Sequence, residues 1–199
     1  MQEEFERNYG TKPLQVIPPG VRSEPARLPQ QEKDIDLLAA GSLIPLKEYD
    51  TLIDVVLKMK TTLPTIRLVL IGDGPELQPL QAMIVKHSLE KNVQLAGALP
   101  HNDVLRYMQR ARLFLHPSSY EGFGVVCLEA LAGGAQVISF VQPMKREIEG
   151  WHLVKSKADM AEKALALLQD PLTGYQPKAP FCLEDTAQQI FQSIAAKQG

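Results

Sequence analysis

Residues 112–134 read RLFLHPSSYEGFGVVCLEALAGG. An apolar run of strand length, Arg112–His116, is followed by a polar loop carrying Gly122 and Gly124. Val125 to Gly133 then has the apolar content of a buried helix, which Gly133-Gly134 closes. Strand, loop, glycine-rich turn and helix form one βα unit, and the same unit recurs on both sides. Strand-like runs occur at Ile35–Ala40, Ile66–Ile71, Val93–Ala96 and Ala135–Phe140, with a weaker one at Trp151–Val154. Between them Leu52, Val55, Val56 and Met59 line one face of a helix over 48–60, and Leu77, Leu80, Ile84 and Leu89 do so over 76–89. Val104, Leu105 and Met108 mark a short helix with Asn102 as its N-cap, and two further helices are expected at 156–169 and 184–197. Alternation of this kind implies parallel strands joined by helical crossovers. The expected fold is α/β, a doubly wound parallel sheet of about six strands with helices on both faces.

Upstream, residues 1–34 divide into the tail of a helix ending at Gly10, a short strand over Leu14–Ile17, the turn Pro18-Pro19-Gly20 and a polar linker over 22–34. Residues 35–199 form the regular domain. The chain has 199 residues, 45% of them hydrophobic and 22% charged, which excludes a wholly disordered protein. Its formal net charge is −2, so no bulk basic field draws nucleic acid or an anionic membrane, and any anion must be held by a local site. Apolar runs are too short to span a bilayer, and MQEEFERNYG is no secretory leader. Cys127 and Cys182 lie far apart and suggest neither a disulfide framework nor a metal cluster. A cytoplasmic location is the expectation.

In such sheets ligands bind beyond the carboxyl ends of the strands. Three loops there are unusual. The first, Gly41-Ser42-Leu43-Ile44-Pro45-Leu46-Lys47, brings a lysine to the start of a helix. The second, Gly72-Asp73-Gly74-Pro75, permits a tight turn but lacks the third glycine and downstream acid of a dinucleotide fingerprint, so hydride transfer is disfavoured. In the third, Gly122 and Gly124 bring bare backbone to a helix N-terminus, where unpaired N–H groups and the helix dipole favour an anion. Glu121 lies just before that helix and Glu129 about 8 Å along its axis. Two carboxylates flanking such a turn can accept hydrogen bonds from hydroxyls on both sides of a diphosphate, which is the shape of a nucleotide-sugar.

Glu121-Gly122-Phe123-Gly124 followed by Glu129 resembles the E-x7-E motif of retaining, family-4-type (group 1) glycosyltransferases of GT-B architecture. Gly72-Asp73-Gly74-Pro75 is similar to their GxGP turn, and Val16-Ile17-Pro18-Pro19-Gly20-Val21 to the segment that opens their C-terminal domain. The resemblance runs from about residue 14 to the end. It implies one Rossmann-like half of a GT-B enzyme, the donor-binding half. The acceptor-binding N-terminal domain, roughly 150–200 residues, would lie outside this chain. Glu129 would bind the ribose hydroxyls, while Glu121, Phe123 and Gly124 would position the donor sugar and its phosphate. Backbone at Val125 and Val126 would meet the diphosphate, Leu99 and Pro100 the base, and Gly41, Ser42 and Gly72 would complete the donor site. Lys47 matches the lysine that neutralises the diphosphate leaving group in place of a metal. Lys47 and Glu121 are thus the expected catalytic pair, the donor is UDP- or GDP-linked, and neither metal nor cofactor is expected. The acceptor, a glycan or glycolipid, would bind through the other domain, as would any peripheral membrane contact, in a setting of bacterial carbohydrate assembly.

Two positions depart from that pattern. Ser42 stands where the family has an arginine, and Gln142-Pro143-Met144-Lys145-Arg146-Glu147-Ile148 stands where it has a glycine pair before an acidic motif. Lys145 or Arg146 could restore the missing charge. These changes keep two alternatives open, a degenerate domain of the same fold that serves binding or assembly, and an epimerase-like half domain. Of the histidines, His116 at a strand end lies near the site by position, whereas His101 reads as a residue of a helix-opening turn. Trp151 reads as core.

Overall fold

The computed structural model of the chain describes residues 2–12, 16–21, 32–142 and 147–195. Helix α1 spans Gln2–Tyr9 and stops at Gly10, whose φ of 65° is left-handed and whose N–H bonds back to Glu6 O at 2.8 Å. Strand β1 (Ile35–Ala40) follows, then a short 3-10 turn (Pro45–Lys47) and α2 (Asp50–Lys60). Next come β2 (Leu68–Ile71), α3 (Leu77–Lys86), β3 (Val93–Gly97), α4 (His101–Arg110) and β4 (Ala111–His116). The chain continues through α5 (Val125–Ala132), β5 (Gln136–Ser139), β6 (Trp151–Leu153), α6 (Lys157–Gln169) and α7 (Leu183–Ala195). No helix among the described residues is long and apolar enough to cross a membrane.

The six strands form one parallel sheet in the order β3-β2-β1-β4-β5-β6. Its central strands are apolar on both sides because both faces are covered. Leu37 and Ala39 of β1 join the core beneath α2, α3 and α6, where Leu52, Val56, Leu80, Ile84 and Met160 are buried. Leu38 and Ala40, pointing the other way, join Phe114, Met108 of α4, and Cys127, Leu128 and Leu131 of α5. Trp151 is core, with its indole Nε1–H donating to Ser139 Oγ at 2.8 Å.

Several boundaries differ from the sequence expectation. The short helix begins at His101, because Pro100 in an extended conformation (φ −55°, ψ 143°) takes the N-cap position, and its carbonyl accepts from the N–H groups of Asp103 and Val104. Asn102 therefore sits in the first turn instead of capping it. Helix α3 stops at Lys86, since Ser88 is left-handed (φ 53°); Leu89 is buried just beyond the helix. Of the expected strand over Leu14–Ile17, Leu14 and Gln15 lie outside the described residues, and Val16 and Ile17 form no strand. Nearby, Val21 makes a single parallel bridge to Cys182. Residues 22–31 of the expected linker and Pro143–Arg146, with Lys145 and Arg146, also lie outside the described residues.

Candidate functional site

Strand order reverses at the β1–β4 pair. Beyond β1 the chain turns to α2 on one face, and beyond β4 it turns to α5 on the other, so the two loops part and leave a crevice. A cavity of about 600 Å³ opens there. Its walls come from the carboxyl ends of β1 and β2, the loops after β1, β2, β3 and β4, the first turn of α4 and the first two turns of α5.

The wall on the β1–β2 side is two loops locked together by backbone. Gly41 N–H donates to Ile71 O at 3.0 Å, Leu43 N–H to Asp73 O at 2.9 Å, and Glu76 N–H to Leu43 O at 3.0 Å. Both glycines of Gly72-Asp73-Gly74-Pro75 serve this contact. A Cβ on Gly72 would lie 1.9 Å from Gly41 O, one on Gly74 would lie 2.4 Å from Leu43 O, and their φ values of 150° and 154° disfavour any side chain. The glycine pair thus lets one loop lie on the other. Tyr49, at the start of α2, is buried behind Gly41, and burial pushes its hydroxyl pKa up, with the nearby Cys127 and Glu121 adding to the effect.

On the opposite wall Gly124 adopts a left-handed conformation (φ 69°) at the N-cap of α5, which no side chain caps. The first N–H groups of the helix, those of Val125 and Val126, thus have no side-chain cap, and both residues line the cavity. Glu121, before this turn, is held on three sides. Its Oε2 accepts from Lys47 Nζ at 2.8 Å and lies 3.0 Å from His116 Nε2, and its Oε1 accepts from Gly122 N–H at 3.1 Å. Burial works against ionisation of this carboxyl, but the hydrogen-bonded Lys47 ammonium, with His116 and the Gly122 N–H, outweighs it and holds the pKa below the ordinary carboxylate range. His116 is 2% exposed; burial, and then the Lys47 charge, lower its pKa against the pull of Glu121, so the ring is neutral near pH 7. A neutral ring facing a carboxylate carries its proton on Nε2 and donates it there. The loop itself is anchored by Ser118, whose single O–H is shared between Tyr120 O at 2.6 Å and Leu46 O at 3.0 Å, and by Ser119, which donates to Glu48.

Glu129, on the second turn of α5, has its side chain 20% exposed and its Oε1 2.8 Å from His101 Nε2 at the start of α4. Along the chain the α5 N-terminus lies between the two carboxylates, and the Lys47 ammonium sits 2.8 Å from Glu121. Lys47 is the only lysine or arginine among the described lining residues, and Ser42 lines the wall at the position where the resembled family has an arginine. Among the described residues no group of three or more His, Cys, Asp or Glu side chains is arranged to hold a metal ion.

The structure brings Gly41, Ser42, Lys47, Gly72, Leu99, Glu121, Phe123, Gly124, Val125, Val126 and Glu129 to this one cavity. Pro100 and Gly122, both exposed, do not line it; the former takes the N-cap position of α4 and the latter donates to Glu121. Glu147 is exposed and does not line it. Asp73, in the quoted glycine turn, and Ala98 and Val104 also line the cavity without having been candidate site residues, and so does His101, which by sequence reads as an ordinary turn residue. The spacing of His101 from Glu129 carries no local signal; only the packing of α4 beside α5 joins them.

Residues 21–178 match the sequence profile of the glycosyl transferases group 1 family. A subunit of the phosphatidylinositol N-acetylglucosaminyltransferase of Saccharomyces cerevisiae is 30% identical over 135 residues, which are 63% of this chain and 30% of that protein. The GtfA subunit of the UDP-N-acetylglucosamine–peptide N-acetylglucosaminyltransferase of Streptococcus pneumoniae is 27% identical over 168 residues, 81% of this chain and 33% of that protein. The chain therefore spans about a third or less of the length of these curated relatives. Among solved structures, pneumococcal GtfA in complex with UDP and GlcNAc superimposes with a TM-score of 0.78 at 23% identity, over 98% of this chain and 42% of that one. Staphylococcus aureus TarM gives a TM-score of 0.83 at 19% identity, over 96% and 41% respectively, and both likenesses bear on the fold. With the profile covering most of the chain and the sheet order and crevice agreeing with it, this chain belongs to the group 1 glycosyl transferases, as a C-terminal domain of the GT-B type.

Proposed function

We propose that this chain is the donor-binding half of a retaining glycosyltransferase, which moves a hexose from a nucleoside diphosphate to an acceptor hydroxyl. The observation that carries this reading is the α5 N-terminus set between two carboxylates, Glu121 and Glu129, each held by a histidine. A diphosphate laid on the N–H groups of Val125 and Val126 would put the sugar beside Glu121 and the ribose beside Glu129, with the base toward Leu99. Glu121, fixed by Lys47, His116 and Gly122, is a preorganised acceptor for sugar hydroxyls. As the donor bond breaks, negative charge grows on the departing diphosphate, and Lys47 and the helix dipole are the groups placed to stabilise it without a metal. A UDP-linked N-acetylhexosamine is the donor we favour, because the yeast and pneumococcal relatives are N-acetylglucosaminyltransferases by name. The acceptor would bind through further chain, as the relatives' greater length suggests.

Ser42 favours a second reading, a domain that keeps the fold without turnover. Calorimetric titration with UDP, GDP and ADP, with Glu129→Ala as control, separates the two. Binding of one nucleotide, weakened by the substitution, supports a donor site and names the base. A folded protein that binds none of them, full-length included, belongs to the second reading.

A further inference from the structure

His101 and Glu129 are more than neighbours in the wall of the main cavity. The same two residues also line a second, smaller cavity of about 210 Å³, whose other lining residues are Gly20, Val21, Leu105, Val125, Ala132 and Leu183. With Val125, which also lines both cavities, the pair forms the partition between the two spaces. On the small-cavity side the named residues besides the pair offer a carboxylate no side-chain hydrogen-bond donor and no cation. Of the side chains shared by the two cavities, His101 alone offers Glu129 a polar partner.

We infer that His101 is a positioning residue that pins Glu129 on the nucleotide side of this partition and so sets the site's selectivity for a ribose diol. The inference rests on the donor-site reading above. The geometry assigns the division of labour: Oε1 of Glu129 faces the His101 ring nitrogen at 2.8 Å, which leaves Oε2 to accept a ribose hydroxyl. His101 is first in α4 and its ring is 65% exposed, so it reaches Glu129 from the solvent side and contributes little to the core. Its value lies in holding one rotamer of a half-buried carboxylate. Leu105, one turn further along α4, closes the small cavity behind it.

The test compares the affinities of UDP and 2′-deoxy-UDP for the intact protein, its His101→Ala, His101→Gln and Glu129→Ala variants, with circular dichroism confirming that each is folded. A hydrogen bond to a carboxylate predicts that the unsubstituted protein prefers UDP by about tenfold or more. Glu129→Ala should abolish the preference, His101→Ala should cut it by about threefold or more, and His101→Gln, whose amide N–H stands close to the position of Nε2, should restore most of it. A merely structural role for His101 would weaken both nucleotides equally and leave the ratio unchanged. That result, with the preference still lost in Glu129→Ala, would overturn the inference and leave the donor site standing. Failure of the unsubstituted protein to bind UDP at all would remove the donor site, and the inference with it.

Discussion

Replacing Gly72 by alanine tests whether the Gly72-Asp73-Gly74-Pro75 turn serves loop contact or phosphate contact. The new Cβ would stand 1.9 Å from Gly41 O, a backbone atom of a loop fixed by hydrogen bonds, at a φ of 150° that side chains rarely adopt. The backbone strain is worth about 1–3 kcal/mol. To relieve the clash the two loops must separate, which puts at risk the three backbone hydrogen bonds from Gly41, Leu43 and Glu76, at about 1 kcal/mol each. A loss of up to about 4–6 kcal/mol follows, a large part of the stability of an ordinary domain. The matched control is Gly122→Ala, where no atom lies within 4 Å of the added methyl group and a change within about 0.5 kcal/mol is expected. Urea unfolding followed by circular dichroism reads both, and in a chain of this size Gly72→Ala should lower Tm by about 10 °C. If Gly72→Ala instead unfolds like the unsubstituted protein while losing nucleotide affinity, the loop-contact argument is wrong and the glycine serves the ligand directly.

Further expectations concern charge and burial. Lys47→Met removes the only lysine or arginine among the described lining residues and leaves Glu121 uncompensated, so nucleoside diphosphate affinity should fall by about tenfold or more. Calorimetry that found unchanged affinity would deny Lys47 its role. Ser139→Ala strands the buried Trp151 indole N–H and should cost about 1–3 kcal/mol in urea unfolding. His152 is pushed from 6.5 down to about 4, by burial first and then by the charges of Lys163 and Lys178. It is therefore neutral in the fold where the unfolded chain would already bind a proton. Its contribution is complete above pH 6.5 and is lost as pH falls toward 4, to a total of about 2 kcal/mol once solvent screening of a half-exposed ring is discounted. Unfolding free energies measured over that range should slope less in His152→Gln than in the unsubstituted protein.

Most of the architecture was legible in one dimension because it follows from local periodicity. Runs such as Ile35–Ala40 and Arg112–His116, apolar on both faces, imply strands covered on both sides. The helical spacing of Leu52, Val55, Val56 and Met59 implies a helix that covers one of them, and the structure has both. The site loops were legible for a related reason: glycines and carboxylates cluster at the strand ends where a doubly wound sheet leaves its crevice. Boundaries were less so. Asn102 has the chemistry of an N-cap, yet Pro100 begins the helix earlier by its fixed backbone, and a left-handed Ser88 ends α3 ahead of Leu89.

Pairings across the fold could not be read along the chain. The family resemblance names Lys47 and Glu121 together, but no local pattern joins them, or His101 to Glu129, since each contact is made by packing separate βα units side by side, and a hydrogen bond of 2.8 Å depends on how α4 lies against α5 or how one loop lies against another. The role of Gly72 and Gly74 was hidden in the same way, because the atoms they make room for belong to Gly41 and Leu43. Local chemistry and periodicity are properties of neighbours in sequence, and they determined the fold class and the residues available to the site. Which of those residues meet, and in what state of ionisation, is a property of neighbours in space, and only the tertiary structure decided it.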